Sequence, residues 1–376
     1  MKDLKKSLSK LIKKRQLAIF KVRKKKVLFL TAGTEILASS RVRVYQYIPN
    51  LEKSGIQCFV ITMRRNSSID KSKLKFWKLI KILFMGGIKY LKIILFCIFC
   101  DVVFIQKRTL PIWRQNFIRL LNRNLIFDFD DAIYLSSQKK PSLNDAMGRK
   151  SLGHILKISR GVIVGNNNLK EFALQFNKNI LMITGPIDCE RYFPKKKDKN
   201  KSITIGWIGY PGTTPFLEPL SHVFAKIGQH YPNVVIELIG ASTLKRQSHN
   251  IKIVEWSLDS EVENLHNFNI GIMPLPDNEQ ARGKGGYKLL QYMAIGIPCV
   301  ASPVGINSML IKEGVNGYLA DSEDHWYEKL QLLINNQALR ESMGVRGREI
   351  VEQQYSLQVS TPKLIEFLTK LYTAPR

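Results

Sequence analysis

Acidic residues are scarce in this chain. Its 376 residues carry 30 Asp and Glu against 58 Lys and Arg, a formal net charge of +28. A surface so unbalanced implies a polyanionic neighbour: nucleic acid, anionic lipid or a phosphorylated substrate. A lysine-biased proteome adds to the same excess. Cysteine is scarce too. Cys58, Cys97, Cys100, Cys189 and Cys299 are odd in number and scattered, which argues against a disulfide framework and suits reduced thiols in a cytoplasmic compartment. Cys97-Ile98-Phe99-Cys100 fits a C-x-x-C pattern but lies among apolar residues, where thiols are inert. The histidines show no metal-ligand spacing. There is no aromatic–basic module, so nucleic acid is not an expected partner. Leu11 to Phe20 is broken by Lys13, Lys14 and Arg15, which speaks against a secretory signal. No repeat at solenoid periods occurs.

What is present is organised. A chain of this length predicts two domains. Val27-Leu28-Phe29-Leu30, Cys58 to Thr62, Val102–Ile105, Leu125–Asp128, Gly161–Val164 and Ile180–Ile183 are short apolar runs separated by helical stretches. The same alternation restarts at Ile203–Ile208 and continues through Val234–Ile239, Ile251–Val254, Ile270–Met273 and Pro298–Ala301. Repeated strand–helix units predict an α/β fold of two doubly wound, Rossmann-like domains facing across a cleft. The expected division is a basic amphipathic segment over 1–26, a first Rossmann-like domain over 27–184, a second over 185–356 and a terminal helix over 357–376.

Two basic apolar segments stand out. In residues 1–26, Leu4, Leu8, Leu11 and Ile12 share one helical side and the lysines the other, a pattern that suits either an anionic membrane surface or a disordered basic tail. In 71–100, Lys71, Lys75, Lys78, Lys81, Lys89 and Lys92 fall within about one third of a helical circumference. Lysines spread so far along a helix exclude a membrane span but fit either a helix lying in the interface or a core helix whose lysines snorkel to solvent. Gly86-Gly87 is a candidate break between two helices.

The chemistry concentrates near Arg282–Pro298. Glycines and cations there run into an apolar helix that ends at Gly296 and Pro298. Free N–H groups at a helix start, with cations beside them, suit phosphate. Arg282, Lys284 and Lys288 would neutralise a diphosphate, Gly285, Gly286 and Tyr287 would bring backbone close to it, and Gln291 would reach a ribose hydroxyl. Gly209-Tyr210-Pro211-Gly212 is a second turn able to cradle phosphate. Asp128-Phe129-Asp130-Asp131 follows a strand, so Asp130 and Asp131 are candidates to orient hydroxyls, act as a base or bind Mg²⁺, the alternative being a helix cap with a salt bridge to nearby cations. Gly33, Arg41 and Arg43 follow the first strand, at the carboxyl-terminal edge where ligands bind in such folds.

These motifs resemble the family 4 (group 1) glycosyltransferases, which have the GT-B fold. Lys288-Leu289-Leu290-Gln291-Tyr292-Met293-Ala294-x-Gly296-x-Pro298 is similar to that family's K-L-x-E-x-M-A-x-G-x-P. Glu313-Gly314-Val315-Asn316-Gly317-Tyr318 is similar to its E-G-x-N-G-[FY], and Ile187-Asp188-x-x-Arg191-Tyr192-Phe193 to its V-D-x-x-R-F. The resemblance implies sugar transfer from a nucleotide-diphosphate sugar with retention at the anomeric carbon, normally with no required metal or other cofactor. The family's E-x7-E pair falls on Gly283 and Gln291, neither a carboxylate, and Glu279 is the nearby acid for the donor sugar. The resemblance places Lys288, Asp130 and Asp131 in catalytic roles. The expected partners are a nucleotide sugar, a lipid-linked or glycan acceptor and an anionic membrane surface, at the inner face of the cell membrane. A catalytically degenerate partner protein and a sugar-nucleotide epimerase are the alternatives on the same fold.

Overall fold

The structure, a computed structural model, describes residues 24–63, 76–135, 143–196, 202–246 and 248–373. The expected segment over 1–26 lies almost wholly outside them, as do residues 71–75. Among the described residues two six-stranded sheets organise the chain, and every strand pair is parallel.

The first sheet contains β1 (Lys25–Thr31), β2 (Ile56–Thr62), β3 (Val102–Gln106), β4 (Leu125–Phe129), β5 (Gly161–Val164) and β6 (Ile180–Met182), in the order β2-β1-β3-β4-β5-β6. The second contains β7 (Thr204–Ile208), β8 (Val235–Ile239), β9 (Ile251–Val254), β10 (Ile270–Met273), β11 (Cys299–Ala301) and β12 (Gly317–Leu319), in the order β12-β11-β10-β7-β8-β9. Central strands such as β3, β4 and β7 are buried along their whole length. That is why they read as unbroken apolar runs rather than alternating ones. In each sheet the strand order reverses beside the first strand in sequence, between β1 and β3 and between β7 and β10. Such switch points open crevices at the carboxyl ends of the strands.

Two details differ from the sequence expectation. The helix Phe76–Phe99 runs through Gly86-Gly87 without a break. Glycine costs about 1 kcal/mol in a helix interior, which a long apolar helix absorbs. The edge strand β12 is an addition, hidden in sequence within the Glu313–Tyr318 motif. The terminal helix Leu357–Thr373 returns to the first sheet, where Leu364, Phe367 and Leu368 pack with Phe29, Phe104 and Ile163. No helix among the described residues is long and apolar enough to cross a membrane.

Candidate functional site

The helix Tyr287–Ala294 is built to hold one lysine in place. Leu289, Leu290, Tyr292 and Met293 are fully buried. The Tyr292 hydroxyl accepts from the Ile208 N–H at 3.0 Å, tying the helix to the end of β7. Gly271 makes room, since a Cβ there would lie 2.3 Å from the Tyr292 ring. Arg348 closes the other end, donating to Ala294 O at 2.7 Å and Cys189 O at 3.1 Å. A cation on terminal carbonyls suits the helix dipole.

One turn before Tyr292, Lys288 is therefore fixed with its Nζ 4.0 Å from the centre of the Trp207 ring. Burial, and then Lys284, push its amine down to about 7. Gly209 sits under this group: a Cβ there would meet the Trp207 ring at 2.1 Å and Lys288 Nζ at 2.8 Å. The helix begins at Gly286, whose φ of +67° favours glycine, and no side chain caps its first N–H groups. The Lys288 amine thus faces the Gly209 turn from the first turn of a helix that has no side-chain cap. Beside that turn is a cavity of about 540 Å³ at the carboxyl ends of β7, β8 and β9, lined by Gly209, Tyr210, Gly240, Val254, Glu255 and Trp256.

The opposite wall comes from the first sheet. Asp131 pairs with Lys107 and lies 3.7 Å from Lys284 Nζ. Burial alone would raise its carboxyl, but Lys107 and Lys284 together hold it below the usual carboxylate range. Lys107 also reaches Asp130 at 3.1 Å. It has a φ of +62°, left-handed backbone that is rare for a side-chain-bearing residue. The sequence reading missed Lys107. Its signal was a cation directly after a buried strand, at the same sheet edge as Asp130 and Asp131.

The remaining expected residues are dispersed. Arg282 is exposed and forked onto Asp277, at 2.7 and 2.9 Å. Glu279 is paired with Arg149 across the cleft at 2.8 Å. Gly283 is buried against Ala132, and Gly285 approaches Asp130 O. Arg43 is buried and locked onto Asp128, so it acts as scaffold beneath the cleft. Gly33 donates to Ser40 Oγ at 3.0 Å and holds the β1 loop closed.

Gln291 is buried, and its amide donates to the Tyr192 hydroxyl at 3.1 Å. Tyr192 donates in turn to Glu261, which also accepts from Trp256 Nε1 at 2.8 Å and from Arg41 at 3.1 and 3.3 Å. This buried network joins the two sheets through Arg41. Sequence reasoning missed Glu261, Tyr192 and Trp256 as its members, since they come together only through tertiary packing.

Residues 194–350 match the family model described as glycosyl transferases group 1. Among solved structures, sucrose-phosphate synthase from Thermosynechococcus elongatus is similar at 14% identity and a TM-score of 0.71, over 94% of this chain and 100% of that one. Anabaena HepE in complex with UDP-glucose is similar at 14% identity and a TM-score of 0.65, over 92% and 99%. A glycosyltransferase from Rickettsia africae is similar at 14% identity and a TM-score of 0.62, over 94% and 100%. No curated protein matches the chain by sequence.

Proposed function

We propose that this chain, whose residues 194–350 match the group 1 glycosyl transferase model and whose fold is GT-B, moves a sugar, with retention, from a nucleotide-diphosphate sugar to a lipid-linked or surface-glycan acceptor. The observation that carries this is Lys288, fixed over Trp207 between an uncapped helix start and the Gly209 turn. Lys288, Lys284 and the helix-start N–H groups would bind the diphosphate, and the cavity ending at Trp256 has room for the rest of the nucleotide.

In the reaction the bond from the anomeric carbon to the diphosphate oxygen breaks, and the acceptor oxygen bonds to that carbon on the same face. The acceptor proton passes to the departing diphosphate. Charge grows on the leaving group, where fixed cations and oriented N–H dipoles stabilise it most in a site shielded from water. Asp131, kept ionised by Lys107 and Lys284, would orient a hydroxyl of donor or acceptor together with Asp130. No cofactor is required by this scheme. We place the protein on the inner face of the membrane, on the basic apolar character of residues 1–26 and 71–100.

Titration calorimetry with UDP and GDP, followed by nucleotide-release assays over a panel of nucleotide sugars and lipid-linked acceptors, tests the reading. Absence of both binding and turnover would remove it. Binding without turnover would favour a non-catalytic partner, a reading to which the glycine at 283 lends support.

A further inference from the structure

The helices Phe76–Phe99 and Ile112–Leu121 lie side by side on the first sheet and contain no Asp or Glu. On the first, Leu91, Leu95 and Ile98 form an exposed stripe, with Ile98 63% exposed. On the second, Trp113, Phe117 and Leu120 fall within about 60° of one another on an ideal helix; Trp113 is 65% and Leu120 79% exposed. Arg114 bridges the two helices, its guanidinium carbon 4.7 Å from the Tyr90 ring centre and 4.8 Å from that of Trp113.

The cations around these stripes lack acids. Among the described residues, Lys89, Lys92, Arg108, Arg114, Arg119 and Arg123 have no ion-pair partner. Arg114 Nε and Arg119 Nη1 are buried without a hydrogen-bond acceptor. Burial and Arg108 lower the Lys89 amine, and burial, Arg123 and Arg160 do the same to Arg119. Such a face needs a neighbour that supplies hydrocarbon and negative charge together. A second copy of this chain would set the same cations against each other.

We propose that these two helices form one docking face for an anionic lipid bilayer, with Trp113, Leu120, Leu95 and Ile98 inserted and the arginines at the headgroups. Exposed apolar side chains beside cations bind such surfaces through both terms, and aromatic rings favour the headgroup boundary. Arg108 follows Lys107, the residue holding Asp131, so the face borders the cleft. A lipid-carried acceptor would emerge beside the carboxylates. The proposal rests on the peripheral placement given above and assigns it a surface, adding the second helix.

The test is co-sedimentation of the full chain with vesicles of phosphatidylcholine alone or mixed with phosphatidylglycerol. Wild type is expected to bind only the mixed vesicles. Trp113→Glu with Leu120→Glu, and separately Leu95→Glu with Ile98→Glu, should each lower the bound fraction more than about ten-fold. Thermal unfolding and UDP binding, measured on the same samples, should stay unchanged. Wild-type sedimentation of both variants would overturn the proposal. So would a dimer in light scattering that the same substitutions split. UDP binding reports the donor site separately, so its loss in wild type would count against the glycosyltransferase reading and leave the docking face standing.

Discussion

Gly283 and Ala132 meet across the cleft so closely that a Cβ on Gly283 would lie 2.6 Å from the Ala132 Cβ and 3.0 Å from the Ala132 N. Ala132 follows Asp130 and Asp131 directly, so this contact brings the carboxylate wall up against the loop that leads into the helix Tyr287–Ala294. The position where the family pattern puts a carboxylate is filled by the opposite domain. Glycine there trades a side chain for close approach.

Gly283→Ala should therefore strain the closed cleft. Overpacking of a tight contact costs roughly 1–3 kcal/mol, and here the loss should appear in the melting temperature and in the rate of nucleotide release together. Ala132→Gly in the same chain should restore much of both. A Gly283→Ala variant as stable and active as wild type would show that the two walls do not meet in the working enzyme.

Much of the frame was legible because buried parallel strands declare themselves as apolar runs. Val102–Ile105 and Ile270–Met273 read correctly for that reason. The three residues of β12 did not, since so short an edge strand has no periodicity to read. The helix Tyr287–Ala294 was legible from Gly286, Lys288 and Pro298, each a local signal of start, charge or stop. Trp207 under Lys288 was not, because a strand residue and a helix residue far apart in sequence meet only after both pack. The same holds for Arg41 and Glu261. Arg43 looked like a site residue, yet the charge is consumed by Asp128 in the core.

Arg41 and Glu261 are both nearly fully buried and lie on opposite sides of the cleft. Removing one member of such a pair leaves a buried charge and costs about 3–5 kcal/mol. Arg41→Met and Glu261→Gln should each destabilise by amounts of that order. The double variant should lose less than the sum, since no lone charge remains. Denaturant unfolding of the four proteins gives the coupling, and strict additivity would mean the pair does not hold the domains together.

Lys107 should govern how Asp131 behaves in acid. Asp131 titrates below its unfolded value, so its contribution to stability is complete above the unfolded carboxylate pKa and is lost as pH falls through the folded one. Lys107→Met removes the closer cation and should move the folded value upward. Acid unfolding followed by circular dichroism should then begin at higher pH than in wild type. Coincident acid transitions would show that Lys284 alone holds Asp131 ionised.

Lys288 offers the sharpest test of the proposed diphosphate site, because burial and Lys284 push its amine down to about 7. The unfolded chain would hold that proton up to a pKa near 10.5. Between these values the unfolded state binds more protons, so the Lys288 contribution to stability rises with pH from about 7 and is complete above about 10.5. Nucleotide binding works in the opposite direction. A diphosphate favours the ammonium, so UDP should bind more weakly as pH rises from about 6 to 9, and binding above about 7 should take up a proton. Calorimetry in buffers of different ionisation enthalpy reads that uptake directly. Lys288→Ala should abolish the uptake and lower kcat on the order of 10²-fold with the fold intact. If the variant keeps both the rate and the proton uptake of wild type, the leaving group is stabilised elsewhere and the helix start at Gly286 is not the phosphate site.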